Sequence, residues 1–223
     1  MLIEPDDWKR EWGADNLVFA TEHVHCLPDT ARAFLSSYGM PRRIIFENPL
    51  DGDWDAKVEL DYAVDISFEI SFEPLLRPLE RFNAAVRWGD FYNEELDKAW
   101  SEQIVIGEEE FSDGHASYCV HQLSEAITRI DVDREKETFV NSSLPQYGES
   151  LLLAVRWSNA FHQAGLGSWE TSLNQLADAL EAIDAVAFQR NDSEWPRLIS
   201  YARDNEPGFL EITADPTRSR PRF

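Results

Sequence analysis

Residues 57–73 read KVELDYAVDISFEISFE, and every even-numbered position in this stretch carries an apolar side chain. The odd-numbered positions carry small or charged side chains. Because successive side chains of a β-strand point to opposite faces, this alternation predicts a sheet with one apolar face on a core and one acidic face. The run is far longer than the usual strand of about 5–6 residues, so we expect a bulge or a break near residues 63–65.

The acidic face of this stretch is the first candidate for a binding surface. Like charges on neighbouring positions of a sheet repel one another, and a basic partner would explain why the chain tolerates that cost. The alternative is a solvated face that keeps the protein soluble and blocks pairing at the sheet edge. With the acidic turns predicted on either side, the candidate partner-binding residues are Glu59, Asp61, Asp65, Glu69, Glu73, Asp51, Asp53, Asp55, Glu108, Glu109 and Glu110.

The overall charge of the chain excludes some classes of partner. Its 223 residues include 42 Asp and Glu against 20 Lys and Arg, which gives a formal net charge of −22. Such a charge repels nucleic acids and anionic lipids, and it speeds the encounter with a strongly basic protein. The charge therefore argues against direct nucleic-acid and membrane binding more strongly than it identifies a partner, because many proteins are acidic for solubility alone.

The cysteines and the N-terminal residues predict a cellular compartment. Cys26 and Cys119 are too few for a disulfide framework, so we expect free thiols in a reducing environment. The first residues, MLIEPDDWKREW, lack the basic and apolar regions of a signal peptide. No apolar run approaches the roughly 18 residues that a membrane span needs. We expect a cytoplasmic protein that does not enter a membrane.

Helix and strand signals follow one another in three blocks: helices, then many strands, then helices. This order predicts an α+β fold. We expect one domain over residues 1–214 and a basic, disordered tail over residues 215–223. Helices are predicted near residues 5–13, 28–38, 143–164, 168–187 and 195–202, strands near residues 17–20, 44–46, 57–73, 104–107, 116–123, 126–131 and 138–141, and an acidic turn over residues 108–114.

One acidic segment resembles the start of a calcium loop. Asp51, Asp53 and Asp55 have the spacing of its first three ligands, but the loop also needs Gly at its sixth position and Glu at its twelfth. Those positions hold Ala56 and Tyr62. The segment therefore predicts an acidic turn, and the sequence predicts no metal and no cofactor.

Two sets of His and Cys residues are candidates for a metal or catalytic site. His23 and His25, followed by Cys26, supply too few ligands for a zinc site. Cys119 and His121 share one face of a predicted strand, and a small hydrolase that uses them is an alternative function. Side chains that project in parallel rarely give a base the aim at sulfur that a nucleophile needs. Phosphate-binding and hydrolase motifs are absent from the sequence, so we predict that the protein is not an enzyme.

Several short motifs stand in a fixed order along the chain. Each is weak alone, and the order makes the set specific. They are LP (27–28) and FL (34–35) before YGMP (38–41), IVIG (104–107), FVNSSL (139–144), and AID (182–184) before EWP (194–196).

This ordered set resembles the SUKH superfamily and suits its fourth immunity subgroup, over roughly residues 15–212. The resemblance implies one domain with a central, mostly antiparallel sheet of about six strands, flanked by N- and C-terminal helices. It also implies an immunity protein that binds and neutralises a cognate polymorphic toxin, often a nuclease, with no catalytic residues and no cofactor. The chain departs from the family at the turn Ser124-Glu125, where Gly is common, and at Ala185, where Pro follows the Asp.

The sequence therefore predicts a cytoplasmic immunity protein that binds a toxin and occludes it. We expect a monomer rather than an oligomer. The first alternative is an intracellular regulatory or adaptor module of the same fold with no toxin partner. The second is the small hydrolase. A neighbouring gene for a large secreted toxin separates the immunity protein from the adaptor. Unchanged function after Cys119→Ala would exclude the hydrolase.

Overall fold

In the computed structural model of the protein, helices precede and follow a long run of strands, and one short strand comes after the last described helix. The structure describes residues 3–19, 24–47, 68–78, 100–111, 114–131, 134–164, 168–190, 193–204 and 211–214. Within these residues the helices are α1 (Pro5–Trp12), α2 (Asp29–Ser37), α3 (Leu144–Ala164), α4 (Trp169–Ile183) and α5 (Glu194–Asp204). The strands are β1 (Leu17–Val18), β2 (Met40–Pro41), β3 (Arg43–Glu47), β4 (Phe68–Pro78), β5 (Gln103–Phe111), β6 (Gly114–His121), β7 (Ile127–Asp131), β8 (Lys136–Asn141) and β9 (Glu211–Thr213).

The described strands form one large sheet and one small sheet. The large sheet has seven strands in the order β8-β7-β6-β5-β4-β3-β9, and every neighbouring pair is antiparallel. Strands β1 and β2 pair separately. The predicted α+β class with antiparallel pairing is confirmed. The expected number of about six strands is not confirmed, because the described part of the sheet already has seven.

Of the alternating stretch at residues 57–73, the structure describes only residue 68 onward. There its even positions face the core as predicted, since Ile70 and Phe72 are 1% and 4% exposed and belong to the main hydrophobic cluster. Strand β4 continues past residue 73 to Pro78. Residues 57–67, with the break expected near residues 63–65, lie outside the described residues, as does the tail at residues 215–223.

A glycine sets the end of α2 and its approach to β1. Gly39 follows the helix with φ +71, a conformation that side chains rarely adopt. A Cβ atom there would lie 2.8 Å from the backbone oxygen of Val18, so the close approach also requires glycine. The predicted helix stop in the YGMP motif is confirmed.

The main core lies between the large sheet and the helices. It includes Trp8 of α1, Phe34 of α2, Tyr147 of α3 and Leu173 of α4, all 3% exposed or less. Indole, phenyl and phenol rings pack edge-on or stacked through this layer. No helix in the described parts of the chain has the length and apolar composition needed to cross a membrane.

Part of the other face of the sheet is also buried. Val105, Cys119 and Ile130 form a second cluster with Trp100, and each is 3% exposed or less. The strand neighbours of Val105 and Cys119 belong to the main core, which places these two residues on the opposite face. The expectation of one apolar and one acidic face is therefore too simple, because part of the second face is apolar.

The predicted acidic turn at residues 108–114 is wrong. Glu108, Glu109 and Glu110 lie inside β5, opposite Ser117, Ala116 and His115 of β6. The three acids therefore occupy adjacent positions of one strand.

Candidate protein-binding site

The predicted acidic residues fall into three groups: those outside the described residues, those in β4 and those in β5. Asp51, Asp53, Asp55, Glu59, Asp61 and Asp65 lie outside the described residues. Glu69 and Glu73 lie in β4, and Glu69 is directly opposite Glu110 in the β4–β5 ladder. Glu108 is half-buried, and the Ser117 hydroxyl lies 3.3 Å from one of its carboxylate oxygens, within reach to donate a hydrogen bond. Of the predicted acidic residues, those that the structure describes therefore lie on the neighbouring strands β4 and β5.

Glu109 does not belong to this acidic surface, which corrects the prediction made for it. Its side chain is 3% exposed, and Arg129 donates two hydrogen bonds to its carboxylate at 2.6 and 2.7 Å. A bulge between Val105 and Gly107 shifts the alternation of β5 by one residue. Glu109 therefore lies opposite Ile70, on the face toward the core.

The Glu109–Arg129 ion pair is the centre of a buried polar cluster. Tyr118 of β6, Tyr147 of α3 and Glu194 of α5 surround it, and Glu194 is 6% exposed. Burial raises the pKa of the Glu109 carboxyl above its ordinary value, and the hydrogen bond from Arg129 offsets part of that rise. Burial also raises the pKa of both tyrosines, and the nearby glutamates add to it. Charged and polar groups in a core are stabilised only while they stay paired.

The cluster is structural rather than a ligand site. A space of about 10 Å³ lies among Tyr118, Tyr147 and Glu194, and Ile70 and Leu198 are among the apolar side chains that also line it. A space of this size holds at most about one water molecule, so no substrate enters. Among the described residues no group of three His, Cys, Asp or Glu side chains is arranged to hold a metal ion.

The pair Cys119 and His121 does not have the geometry of a nucleophile and its base. Cys119 is completely buried, with its Sγ 3.8 Å from the Ser117 carbonyl oxygen. The Nδ1 of His121 accepts hydrogen bonds from the backbone N–H groups of Leu123 and Ser124, both at 3.2 Å. The imidazole therefore supports the β6–β7 turn, and the structure gives no support to the hydrolase alternative.

Residues from three of the motifs that carry the family resemblance, FVNSSL, AID and EWP, meet in one hydrogen-bond network. The Asp184 carboxylate, 2% exposed, accepts from the Ser142 N–H at 2.5 Å, the Ser142 hydroxyl at 2.9 Å and the Asn141 amide at 3.2 Å. The Trp195 indole donates to the Asn141 side-chain oxygen at 2.9 Å. The network joins the end of β8 to α4 and α5, so these residues hold the fold together rather than bind a partner.

Sequence reasoning missed the buried charges and one exposed turn. Arg129 stands two residues from Ile127 in a short strand, and a shared face with Ile127 was the available signal that it points toward the core. Leu123 was assigned to a strand, and the structure places it in the turn after β6 with 76% of its surface exposed. The exposure of a leucine and the burial of an arginine are the reverse of what hydrophobicity alone indicates.

The comparisons with known proteins give one match. The family model described as SUKH-4 immunity protein matches residues 3–201, which is most of the chain. No curated protein and no solved structure matches.

Proposed function

Because this chain belongs to the SUKH-4 immunity protein family, we propose that it binds a cognate protein toxin and neutralises it by occlusion. The family match over residues 3–201 is the observation that carries this proposal. Two buried polar groupings, the Glu109–Arg129 pair and the Asp184 network, join elements of the fold to one another and are thereby accounted for by structure. We also propose that the protein works as a single domain in the cytoplasm, as a monomer.

The partner proposed is a basic toxin. A nuclease is the clearest example, because it must bind phosphate and therefore presents a positive surface. The net charge of −22 favours association with such a surface. The contact surface proposed here is the acidic set without the buried Glu109: Asp51, Asp53, Asp55, Glu59, Asp61, Asp65, Glu69, Glu73, Glu108 and Glu110.

The adjacent open reading frame supplies the probe for every binding test. We expect it to encode a large secreted toxin, and the toxin domain of that protein, in an inactive form, is the ligand to purify. An adjacent frame with no toxin would favour the regulatory or adaptor alternative.

The charge of the acidic surface should set the association rate. For the variant Asp61→Lys, Asp65→Lys, Glu69→Lys we expect association with the toxin domain to slow at least about tenfold, because steering between opposite charges is lost. The wild-type rate should also fall steeply with added salt, since the field is screened over about 8 Å at physiological ionic strength. Stopped-flow association at two salt concentrations measures both effects.

A matched variant separates local charge from total charge. Glu170→Lys, Asp178→Lys, Glu181→Lys changes exposed positions of α4 and alters the net charge by the same amount, because each variant reverses three acids. We expect a much smaller loss of rate in this control. Equal rates for wild type and the Asp61, Asp65 and Glu69 variant would move the binding site off this surface and leave the acids a solubilising role.

A further inference from the structure

Two large apolar side chains stand out on the described surface. Leu123, in the turn between β6 and β7, is 76% exposed, and Val186, in the short 3₁₀ helix Ala185–Phe188, is 47% exposed. They are the exposed large hydrophobic residues of the part of the chain that the structure describes. Single exposed apolar residues are common on protein surfaces. Whether these two form a binding site therefore depends on where they lie in the fold and on how rigidly their segments are held.

Both residues lie at the same end of the large sheet. Leu123 follows the last residue of β6, and β7 begins at Ile127, which is opposite Asn141 at the end of β8. Asn141 donates to the carboxylate of Asp184, two residues before Val186. The chain topology therefore brings the β6–β7 turn and the 3₁₀ helix to one end of the molecule.

The turn that carries Leu123 is held in one conformation. His121 accepts at Nδ1 from the N–H groups of Leu123 and Ser124, and its carbonyl accepts from the Glu125 N–H at 3.0 Å. Glu125 adopts φ +64, the left-handed region that glycine normally occupies. A strained residue in a fully hydrogen-bonded turn indicates that the shape of the turn is kept for a purpose.

The segment that carries Val186 is also held in one conformation. Its N–H donates to the Asp184 carboxylate at 3.2 Å, and the next residue, Ala187, is completely buried. Because both segments are already ordered, little conformational entropy remains to be lost when a partner covers the two side chains. Rigid presentation of apolar groups is what a binding surface requires.

Acidic side chains stand beside the turn. Glu102, whose side chain is 44% exposed, lies 3.4 Å from the Nε2 of His121, and Glu125 is half-buried within the turn itself. An apolar tip next to carboxylates fits an apolar depression that basic side chains border.

We propose that Leu123 and Val186, called here the apolar pair, are a second contact surface for the toxin and enter an apolar depression with a basic rim. This inference rests on the proposed function and assigns the apolar pair a part distinct from that of the acidic surface. Long-range charge acts during encounter and sets the association rate, whereas buried apolar contacts form after encounter and set the dissociation rate.

The test uses the full-length protein and the inactive toxin domain from the adjacent reading frame. For Leu123→Ala we expect dissociation to accelerate about tenfold or more, because burying a leucine side chain contributes that factor or more to an affinity. Association should stay within about twofold of wild type. The effect should persist at high salt, unlike that of the acidic surface. Val186→Ala should act in the same direction, and the double variant should exceed either single change.

Two controls keep the result interpretable. Ser36→Ala truncates an exposed side chain on α2 and should leave both rate constants unchanged. Thermal unfolding of each variant should match wild type, because exposed positions contribute little to stability. If wild type binds the toxin domain and the double variant dissociates at the wild-type rate, the apolar pair is not a contact surface. The proposed function would remain intact. No binding of the toxin domain by wild type would overturn both.

Discussion

Replacing Arg129 with Met should lower the free energy of unfolding by about 3–5 kcal/mol at neutral pH, because it leaves a buried carboxylate without its cation. Arg129 and Glu109 are 6% and 3% exposed, and two hydrogen bonds join them. Glu194 lies close enough to add negative charge at the same place. Urea unfolding of wild type and Arg129→Met, followed by Trp fluorescence, measures the loss.

The pH dependence of that loss has a definite sign. Burial already raises the pKa of Glu109 above 4.5, and removing Arg129 raises it further. Between pH 4.5 and the raised pKa the folded state binds more protons than the unfolded state, so stability falls as the pH rises through this window. Arg129→Met should therefore lose less stability, relative to wild type, toward pH 4.5 than at pH 7.

A double variant is the control for the ion pair. Glu109→Met with Arg129→Met removes both charges and keeps similar volume, and such exchanges are often neutral or stabilising. We expect the double variant to recover most of the stability that Arg129→Met loses. A double variant as unstable as the single one would show that Arg129 stabilises the fold by packing and not by neutralising Glu109.

Replacing Asp184 with Ala should cost about 3–5 kcal/mol, since several buried donors lose one acceptor and each unsatisfied group costs about 1–3 kcal/mol. The carboxylate accepts from the Asn141 amide, from Ser142 through both its N–H and its hydroxyl, and from the Val186 N–H. The loss should loosen the junctions of α4 and α5 with β8. Urea unfolding measures it.

Two variants bracket the Asp184 result. Asp184→Asn keeps one acceptor oxygen and should lose less stability than Asp184→Ala. Asp178→Ala changes an exposed carboxylate on α4, the helix that ends just before Asp184, and should stay within about 0.5 kcal/mol of wild type. Equal losses for Asp184→Ala and Asp178→Ala would contradict the network as a source of stability.

The sequence was informative where a residue pattern and its structural cause are local. Alternation placed Ile70 and Phe72 on the core, and Gly39 marked the end of α2. The ordered motifs pointed to the family correctly, and the structure supplies their physical reason. Residues from FVNSSL, AID and EWP are far apart in the chain and meet at the Asp184 carboxylate and the Trp195 indole.

The sequence was misleading where pairing between distant strands decides the outcome. Three consecutive glutamates predicted a solvated turn, and they lie inside β5 because a bulge turns Glu109 toward Arg129, twenty residues later. No local pattern gives the position of a bulge or the partner across a sheet. The exposure of Leu123 was missed for the same reason, since the β6–β7 register determines where the turn begins.

The central claim is that this protein neutralises a toxin by binding it, and a growth-protection assay tests that claim most directly. Bacterial cells would express the active toxin domain from the adjacent reading frame, with and without this protein. We expect wild type to restore growth. We expect much weaker protection from a variant that combines Leu123→Asp with the Asp61, Asp65 and Glu69 reversals, although it accumulates to the same level. Growth arrest in cells that contain abundant, folded wild-type protein would contradict the claim.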